Sequence, residues 1–211
     1  MDDTPSCQNK RIVAPARYRR LNLALVVGLL CAFARNATAE GPKQQLQGTI
    51  DRVIEVLQTI RSPEDIDGNR PALRQILATR FDFMAMAQQS LGNRWSDLNG
   101  KEGEFVSAFT NFVEDGYMST LGSYRGEKVV YDHDSVDGET AEVDTRVVGG
   151  EGPPIKIGYK LHLKGGQWMV YDAVVDDVSA VRNYRSQFAR VLKTGTLKEL
   201  IQSLQAKASG R

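Results

Sequence analysis

The stretch GQWMVYDAVVDDVSAVRNYRSQF, from Gly166 to Phe188, decides the fold of this chain. Its first part, Trp168 to Val175, has the β-branched and aromatic content of a buried strand and starts at a Gly-Gly turn. Its second part spaces Val178, Val181, Tyr184, Phe188, Val191 and Leu192 at intervals of three or four, the period of an amphipathic helix. A strand that hands directly to a helix presents a concave apolar surface, against which the upstream chain is expected to pack.

Working upstream, four strands are predicted: Glu127 to Asp132, Thr140 to Val148, Ile155 to Lys164 and Gln167 to Val175. The links Val136-Asp137-Gly138, Gly149 to Pro154 and Gly165-Gly166 have hairpin turn chemistry, so an antiparallel meander follows. In the third strand Ile155, Ile157, Tyr159, Leu161 and Leu163 alternate with Lys156, Lys160, His162 and Lys164, which makes one face covered and the other wet.

Further upstream the period is helical. Leu46, Ile50, Val53, Ile54, Leu57 and Ile60 stripe a helix that Ser62-Pro63 ends. A polar loop through Asp67-Gly68-Asn69 is expected next, then a helix with Pro71 at its first position. Phe81, Met84, Ala87 and Leu91 continue the helical pattern to Gly92, and Trp95 is expected to plug the corner. Lys101 to Leu121 reads as the longest helix, with Phe105, Phe109, Phe112, Val113, Tyr117 and Leu121 along one side. Downstream, Asp177 or Ser179 caps a helix to Leu192, and a last helix begins at Thr196. Helices, then a sheet, then helices give an α+β fold with one sheet face covered.

The N-terminus has the order of a secretory leader. Lys10, Arg11, Arg17, Arg19 and Arg20 precede an apolar run from Leu21 to Ala34, and Ala37-Thr38-Ala39 supplies a cleavage site. The run is short for a membrane span, so residues 1–39 are expected to be removed and 40–211 to form the working domain. Leu30 before Cys31 argues against lipidation. Both cysteines, Cys7 and Cys31, lie in the leader, which leaves an exported domain without disulfides. Removing the six Lys/Arg and two Asp of residues 1–39 leaves 21 basic and 24 acidic side chains, a balance that argues against nucleic acid.

Catalytic and metal chemistry find little support. The chain has no G-x-S-x-G elbow, Walker loop or H-E-x-x-H. Gly149-Gly150-Glu151-Gly152 lacks the Lys-Ser/Thr and following helix of a phosphate cradle and reads as a turn. His162 reads as a solvated surface residue. His133, between Asp132 and Asp134 and near Asp137, forms an oxygen-rich turn rather than a metal site. Asp172 falls in an apolar strand, where a charge needs a partner, and Arg182 or Arg185 is the expected one. Asp176 and Asp177 read as helix-start residues.

Three segments together, RFDFMAMAQQSLGNRW (Arg80–Trp95), EFVSAFTNFVEDGYMSTLGSYRGEKVVY (Glu104–Tyr131) and GPPIKIGYKLHLKGGQWMVYDAVVDDVSAVRNYRSQFARVL (Gly152–Leu192), closely resemble the MlaC family, the toluene-tolerance phospholipid-binding proteins. The resemblance spans about Ser62 to Leu204. It implies a twisted antiparallel sheet of about four strands, like that of the nuclear transport factor two superfamily, with an N-terminal helical part over about 40–121, a sheet over about 127–175 and C-terminal helices over about 179–207.

The function it implies is a periplasmic carrier, monomeric and without catalytic residues or cofactor, whose cargo is a phospholipid. Its implied partners are an outer-membrane lipoprotein complex and an inner-membrane ABC transporter with an MCE-domain subunit. The family includes proteins tied to hopanoid biosynthesis, so a hopanoid-related carrier is an alternative, and a second is an enzyme of the same cone-like fold with Asp172 as base. Physical chemistry agrees with a carrier. Two chains of about fifteen methylenes at about 0.8 kcal/mol each face a barrier on the order of 20 kcal/mol on entering water. Candidate lipid contacts are Tyr117, Leu121, Val129, Val147, Ile157, Tyr159, Leu161, Trp168, Val170, Val174, Tyr184 and Phe188. By parity, Trp168, Val170, Asp172 and Val174 are expected to share a face, with Tyr184 and Phe188 opposite Trp168 and Val170.

Overall fold

A computed structural model describes residues 40–209 of the chain. The expected leader, residues 1–39, and both cysteines lie outside the described residues.

Helix α1, Pro42–Thr59, starts with Pro42 in its first turn and buries Leu46, Val53 and Leu57 of the predicted stripe together with Gln45 and Thr49, while Ile50 and Ile54 are half-buried. Helix α2, Pro63–Ala78, departs from expectation: Asp67-Gly68-Asn69 is helical and Pro71 lies in the helix interior. Ser62 and Asp65 form a capping box, in which the Ser62 N–H donates to Asp65 Oδ2 at 3.0 Å, and it starts the helix at Pro63. Asn69 Nδ2 then donates to the Asp65 carbonyl at 2.9 Å, a bond that a turn would not offer.

Phe81 does not continue a helix: Arg80 closes a turn onto Leu77, and the chain then bridges to the sheet. The Val170 N–H donates to the Arg80 carbonyl at 2.7 Å and the Asp82 N–H to the Val170 carbonyl at 2.8 Å, which makes a parallel bridge between Phe81 and Val170. Asp82 then caps α3, Phe83–Leu91, its Oδ1 accepting from the Ala85 N–H at 3.0 Å. A 3₁₀ turn, Gly92–Leu98, leads to α4, Glu102–Leu121.

The sheet is antiparallel and ordered β1-β2-β3-β4-β5, with β1 Lys128–Asp137, β2 Thr140–Val148, β3 Ile155–Lys164, β4 Gln167–Val175 and a two-residue β5, Val178–Ser179. β1 runs to Asp137 rather than stopping at Asp132. Asp176 and Asp177 are not helix-start residues; both have left-handed φ values, 44° and 67°, and turn the chain from β4 back into β5. Ser179 caps α5, Ala180–Val191, accepting from the Arg182 N–H at 3.1 Å, and α6 is Leu197–Ser209.

Two register shifts shape the sheet. Lys160 pairs with Asp172 but Leu161 pairs with Val170, so Tyr171 is a bulge residue. Because a one-residue slip exchanges the two faces of a strand, Val170 shares a face with Leu161, whereas Asp172 and Val174 sit with Lys160 and Gly158 on the polar face. The expected common face of Trp168, Val170, Asp172 and Val174 is therefore corrected. In β1 the shift falls between Tyr131 and His133.

Among the described residues the core forms three clusters. One joins α3 to α6 through Met86, Leu91, Phe105, Phe109, Phe188 and Leu200. A second joins α1 to the sheet through Leu46, Ala141, Val143, Leu161, Trp168 and Val170. The third joins α1, α2 and α4 through Val53, Leu57, Leu73 and Met118.

Candidate functional site

The helix-covered face of the sheet has two halves. Under the first turns of α1 it is sealed: Leu161 and Val170 are fully buried and Trp168 nearly so, against Leu46 and Ile50. A buried polar knot locks this half. Gln45 Oε1 accepts from Arg80 Nη1 at 2.7 Å and from the Trp168 N–H at 3.0 Å, and the same guanidinium nitrogen donates to the Trp168 carbonyl at 2.6 Å. Burial, with the Arg52 guanidinium adding to it, holds the Arg80 pKa below its usual range. Leu161, Trp168 and Val170 are thus interior packing, not a surface open to a ligand.

Toward the end of β2 and the start of β3 the same face is open. Val129 pairs with Val147, Thr145 with Ile157, and Val147 with Ile155. Val129, Val147, Ile157 and Tyr159 are half-buried, Ile155 is 45% exposed and Val175, paired with Ile157, is 42% exposed. At the C-terminal ends of α1 and α4, just before the chain enters β1, lies a pocket of about 360 Å³. Its apolar lining is Leu57, Ile60, Leu121 and Tyr124, and Arg61 and Arg125 supply charge. An apolar floor on the sheet and a pocket that mixes apolar and cationic side chains suit an amphipathic molecule with an anionic group.

A larger pocket of about 630 Å³ lies on the polar face, lined by Arg146, Lys156, Lys160 and Arg182 with Asp132, Glu142, Asp144 and Asp177. Arg146 makes a bidentate pair with Asp132, at 2.6 and 2.7 Å, and Lys160 pairs with Glu142 at 3.6 Å. Its walls are balanced in charge and carry eight ionic side chains beside Ile157 and Tyr159, and hydrocarbon laid over so many charged groups would strip them of water at a cost. Val174 lines this pocket.

The remaining candidates divide likewise. Tyr117 and Leu121, on the last turns of α4, pack against Leu57, Leu73 and Met118. Tyr184 and Phe188 do not face Trp168 and Val170. They pack into the helical cluster, where Tyr184 meets Phe109 edge-on at 5.5 Å between ring centroids and Phe188 meets Phe105 at 6.0 Å.

On the covered face, three polar side chains stand between the sealed and the open half. Tyr131 is paired across the strands with Thr145, whose hydroxyl donates to the Ile157 carbonyl at 3.0 Å, and Tyr159 is a diagonal neighbour. Burial pushes the Tyr159 phenol up to about 12, with a hydrogen bond to Thr145 partly offsetting it. Burial raises the Tyr131 phenol as well, and the Asp51 carboxylate and Tyr159 add to the effect. Tyr131 was absent from the predicted contacts, although the quoted Glu104–Tyr131 segment ends on it.

Other charged groups are structural. Arg74 Nε lies 2.8 Å from Glu114 Oε2 and Arg70 Nη1 2.8 Å from Asp115 Oδ1, which fastens α2 to α4; burial raises the Glu114 pKa against the opposing pull of Arg74. This cluster has no signature in the linear sequence, because its members lie some forty residues apart. His162 is not free surface: its Nε2 is 3.0 Å from Asp82 Oδ2, which also accepts from Lys164 Nζ at 2.8 Å. Asp172 pairs with neither Arg182 nor Arg185. Its Oδ2 accepts from Ser179 Oγ at 2.7 Å and its Oδ1 from the Val181 N–H at 3.1 Å, so it locks the start of α5. Among the described residues no group of three His, Cys, Asp or Glu side chains is placed to hold a metal ion.

Comparison with known proteins identifies the family and the fold. The profile of a family described as MlaC protein matches residues 47–206. The chain is 26% identical over 192 residues to the intermembrane phospholipid transport system binding protein MlaC of Haemophilus influenzae, covering 86% of this chain and 90% of that relative. It is 25% identical over 171 residues to the toluene tolerance protein ttg2D of Pseudomonas putida, covering 78% and 80%. A solved structure of the phospholipid-binding protein from Ralstonia solanacearum, in complex with a phospholipid, superposes with a TM-score of 0.71 at 21% identity, covering 81% of this chain and 98% of that one. At that identity the likeness establishes a shared fold.

Proposed function

The chain belongs to the MlaC family, and from that premise we propose that it is a periplasmic phospholipid-binding shuttle of an Mla-type intermembrane transport system. The observation that carries this reading is the unsealed half of the sheet's covered face, where Val129, Val147, Ile157 and Tyr159 are left half-buried; the pocket at the ends of α1 and α4 adds Arg61 and Arg125 as cationic groups. Residues of this kind in a water-soluble domain form a surface made to be covered. A bilayer interior and such a cleft are both dry, so an acyl chain exchanges between them with little net change, whereas its passage through water opposes transfer at about 0.8 kcal/mol per methylene.

Filling the site requires movement. A pocket of about 360 Å³ lies near the lower end of the roughly 300–1,000 Å³ of small-molecule sites, so a two-chain lipid must displace half-buried side chains such as Leu121, Tyr124 and Ile60. Each of these is only partly covered, so its displacement exposes less apolar surface than that of a buried residue. Donor and acceptor of the cargo are, on this reading, an outer-membrane lipoprotein complex and an inner-membrane ABC transporter with an MCE-domain subunit. The direction of net flow is set by those partners, because binding without chemistry has no direction of its own. This reading needs no bond made or broken, and Asp172, the candidate base of the alternative reading, is occupied by Ser179 and the Val181 N–H at the start of α5.

The test is extraction and native mass spectrometry of the exported protein. A co-purifying glycerophospholipid is expected, in a fraction that Val147→Asp reduces without loss of the folded circular-dichroism spectrum. Protein that is consistently empty, or that carries a hopanoid instead, overturns the assignment.

A further inference from the structure

At the boundary between the sealed and the open half of the face read above as a phospholipid site stands a polar atom that has no use in the protein itself. The hydroxyl of Tyr131 is buried and has no hydrogen-bond partner among the described residues. Its surroundings do not make good the loss. The Thr145 hydroxyl opposite it donates to the Ile157 carbonyl, Tyr159 is engaged with Thr145, and Asp134, further along β1, is held by Lys43 at 3.8 Å. A buried hydroxyl without an acceptor is disfavoured by a net amount comparable to a whole hydrogen bond, and such atoms are uncommon enough in folded chains that each calls for a cause. The tyrosine ring also occupies a boundary position: two residues before it Val129 belongs to the open half of the face, while the ring itself packs on the sealed cluster of Leu46 and Val143.

We propose that the Tyr131 phenol is a lipid-binding donor that hydrogen-bonds an acyl ester carbonyl of the bound phospholipid. This inference rests on the shuttle reading and adds to it the linkage chemistry that the site recognises. The choice of a carbonyl over the phosphate follows from the setting. A charged oxygen brought to a desolvated phenol would leave water at high cost, and the carboxylate of Asp51 lies near enough to act on the Tyr131 phenol electrostatically and would repel it. A neutral ester carbonyl loses little on burial once it accepts one O–H bond. The phosphate then stays at the pocket end of the site, where Arg61 and Arg125 stand. Since a site built to hydrogen-bond a group discriminates against an analogue that lacks it, the protein should tell ester-linked from ether-linked phospholipids, which share headgroup and chain length and differ in those carbonyls.

The experiment measures affinity of the wild-type protein and of Tyr131→Phe for a diacyl phosphatidylglycerol and its dialkyl ether analogue, by displacement of a fluorescent phospholipid, together with thermal unfolding of the delipidated proteins. Wild type is expected to prefer the diester by about two- to ten-fold, the worth of one neutral hydrogen bond. Tyr131→Phe is expected to lose that same factor for the diester, to bind the ether unchanged and so to show no preference. Its lipid-free Tm should be equal to or above that of wild type, since only an unsatisfied hydroxyl is removed. A preference that survives in Tyr131→Phe, or a wild type that binds both lipids equally, overturns the ester contact and leaves the shuttle reading standing. A lowered lipid-free Tm shows that the phenol serves the protein and also overturns it. Failure of wild type to bind either lipid overturns the shuttle reading itself.

Discussion

The two halves of the sheet's covered face have the same alternating sequence and opposite fates. Ala141, Val143, Leu161 and Val170 vanish beneath α1, whereas Val129, Val147, Ile155 and Ile157, on the same face of the same sheet, stay half open. What differs is the cover. At the sealed end Gln45 and Arg80 bind the backbone of Trp168 from above. At the open end α1 runs out at Thr59, and its last turns pack on α2 and the end of α4 through Leu57, Leu73 and Met118 rather than on the sheet. Strand alternation thus says which side chains face inward; the length and anchoring of the covering helix decide which of them become core and which remain available to a ligand.

Substitutions that place a charge on each half test this difference most strongly. Val170→Asp should destabilise the fold by about 3–5 kcal/mol, since it leaves an uncompensated charge in a fully buried site, and is expected to abolish soluble protein or its cooperative unfolding. Val147→Asp, in a half-exposed site, should cost about 1 kcal/mol yet strip most of the lipid seen by native mass spectrometry. Equal effects on folding would erase the proposed boundary.

Next in size is Phe109→Ala, expected to cost about 3–5 kcal/mol for a large buried ring but, measured well below its unfolding transition, to leave lipid content intact, because Phe109, Tyr184 and Phe188 belong to the helical cluster. Loss of lipid from a folded Phe109→Ala protein would instead make that cluster part of the site.

A smaller effect concerns the joint between helices and sheet. Burial alone would raise the Asp82 pKa, but the Lys164 ammonium, the Ala85 N–H and His162 outweigh it and hold the carboxylate below its ordinary 3.8. The stability this adds is fully present above that ordinary value and is lost as pH falls through the lower folded value. Asp82→Asn should therefore flatten this part of the acid limb of a stability-versus-pH curve measured by urea unfolding, and an unchanged limb would contradict it. Smallest of all, Val174→Lys should change stability by about 1 kcal/mol or less and leave lipid content unaltered, because the bulge at Tyr171 turns Val174 to the charged face.

Much of the fold was legible because it is periodic. β2, β3 and β4 have the predicted boundaries, and α4 follows its stripe of phenylalanines. Features that depend on partners were not. The bulge at Tyr171 is a property of pairing with Lys160 and Leu161, so counting by twos put Val174 beside Val170. The stripe of Tyr184 and Phe188 marks an apolar helix face without saying that it meets Phe105 and Phe109 rather than the sheet. The capping box at Ser62 and Asp65 was readable but was outweighed by Asp67-Gly68-Asn69, which has turn composition and is helical here. Of the candidate site, Val129, Val147, Ile157 and Tyr159 lie on the half-open part of the covered face and Leu121 lines the pocket at the end of α4, whereas Leu161, Trp168 and Val170 are sealed in; burial depends on where α1 ends in space, which strand periodicity does not encode.

The division of the covered face is tested most directly by photo-crosslinking with a phospholipid that carries a diazirine midway along one acyl chain, followed by peptide mapping of the loaded protein. The account predicts labels on Val147, Ile157 and neighbouring residues of β2 and β3, and at the end of α4 around Leu121. Labels concentrated on Tyr184 and Phe188, or on the charged face around Lys160 and Val174, would contradict it.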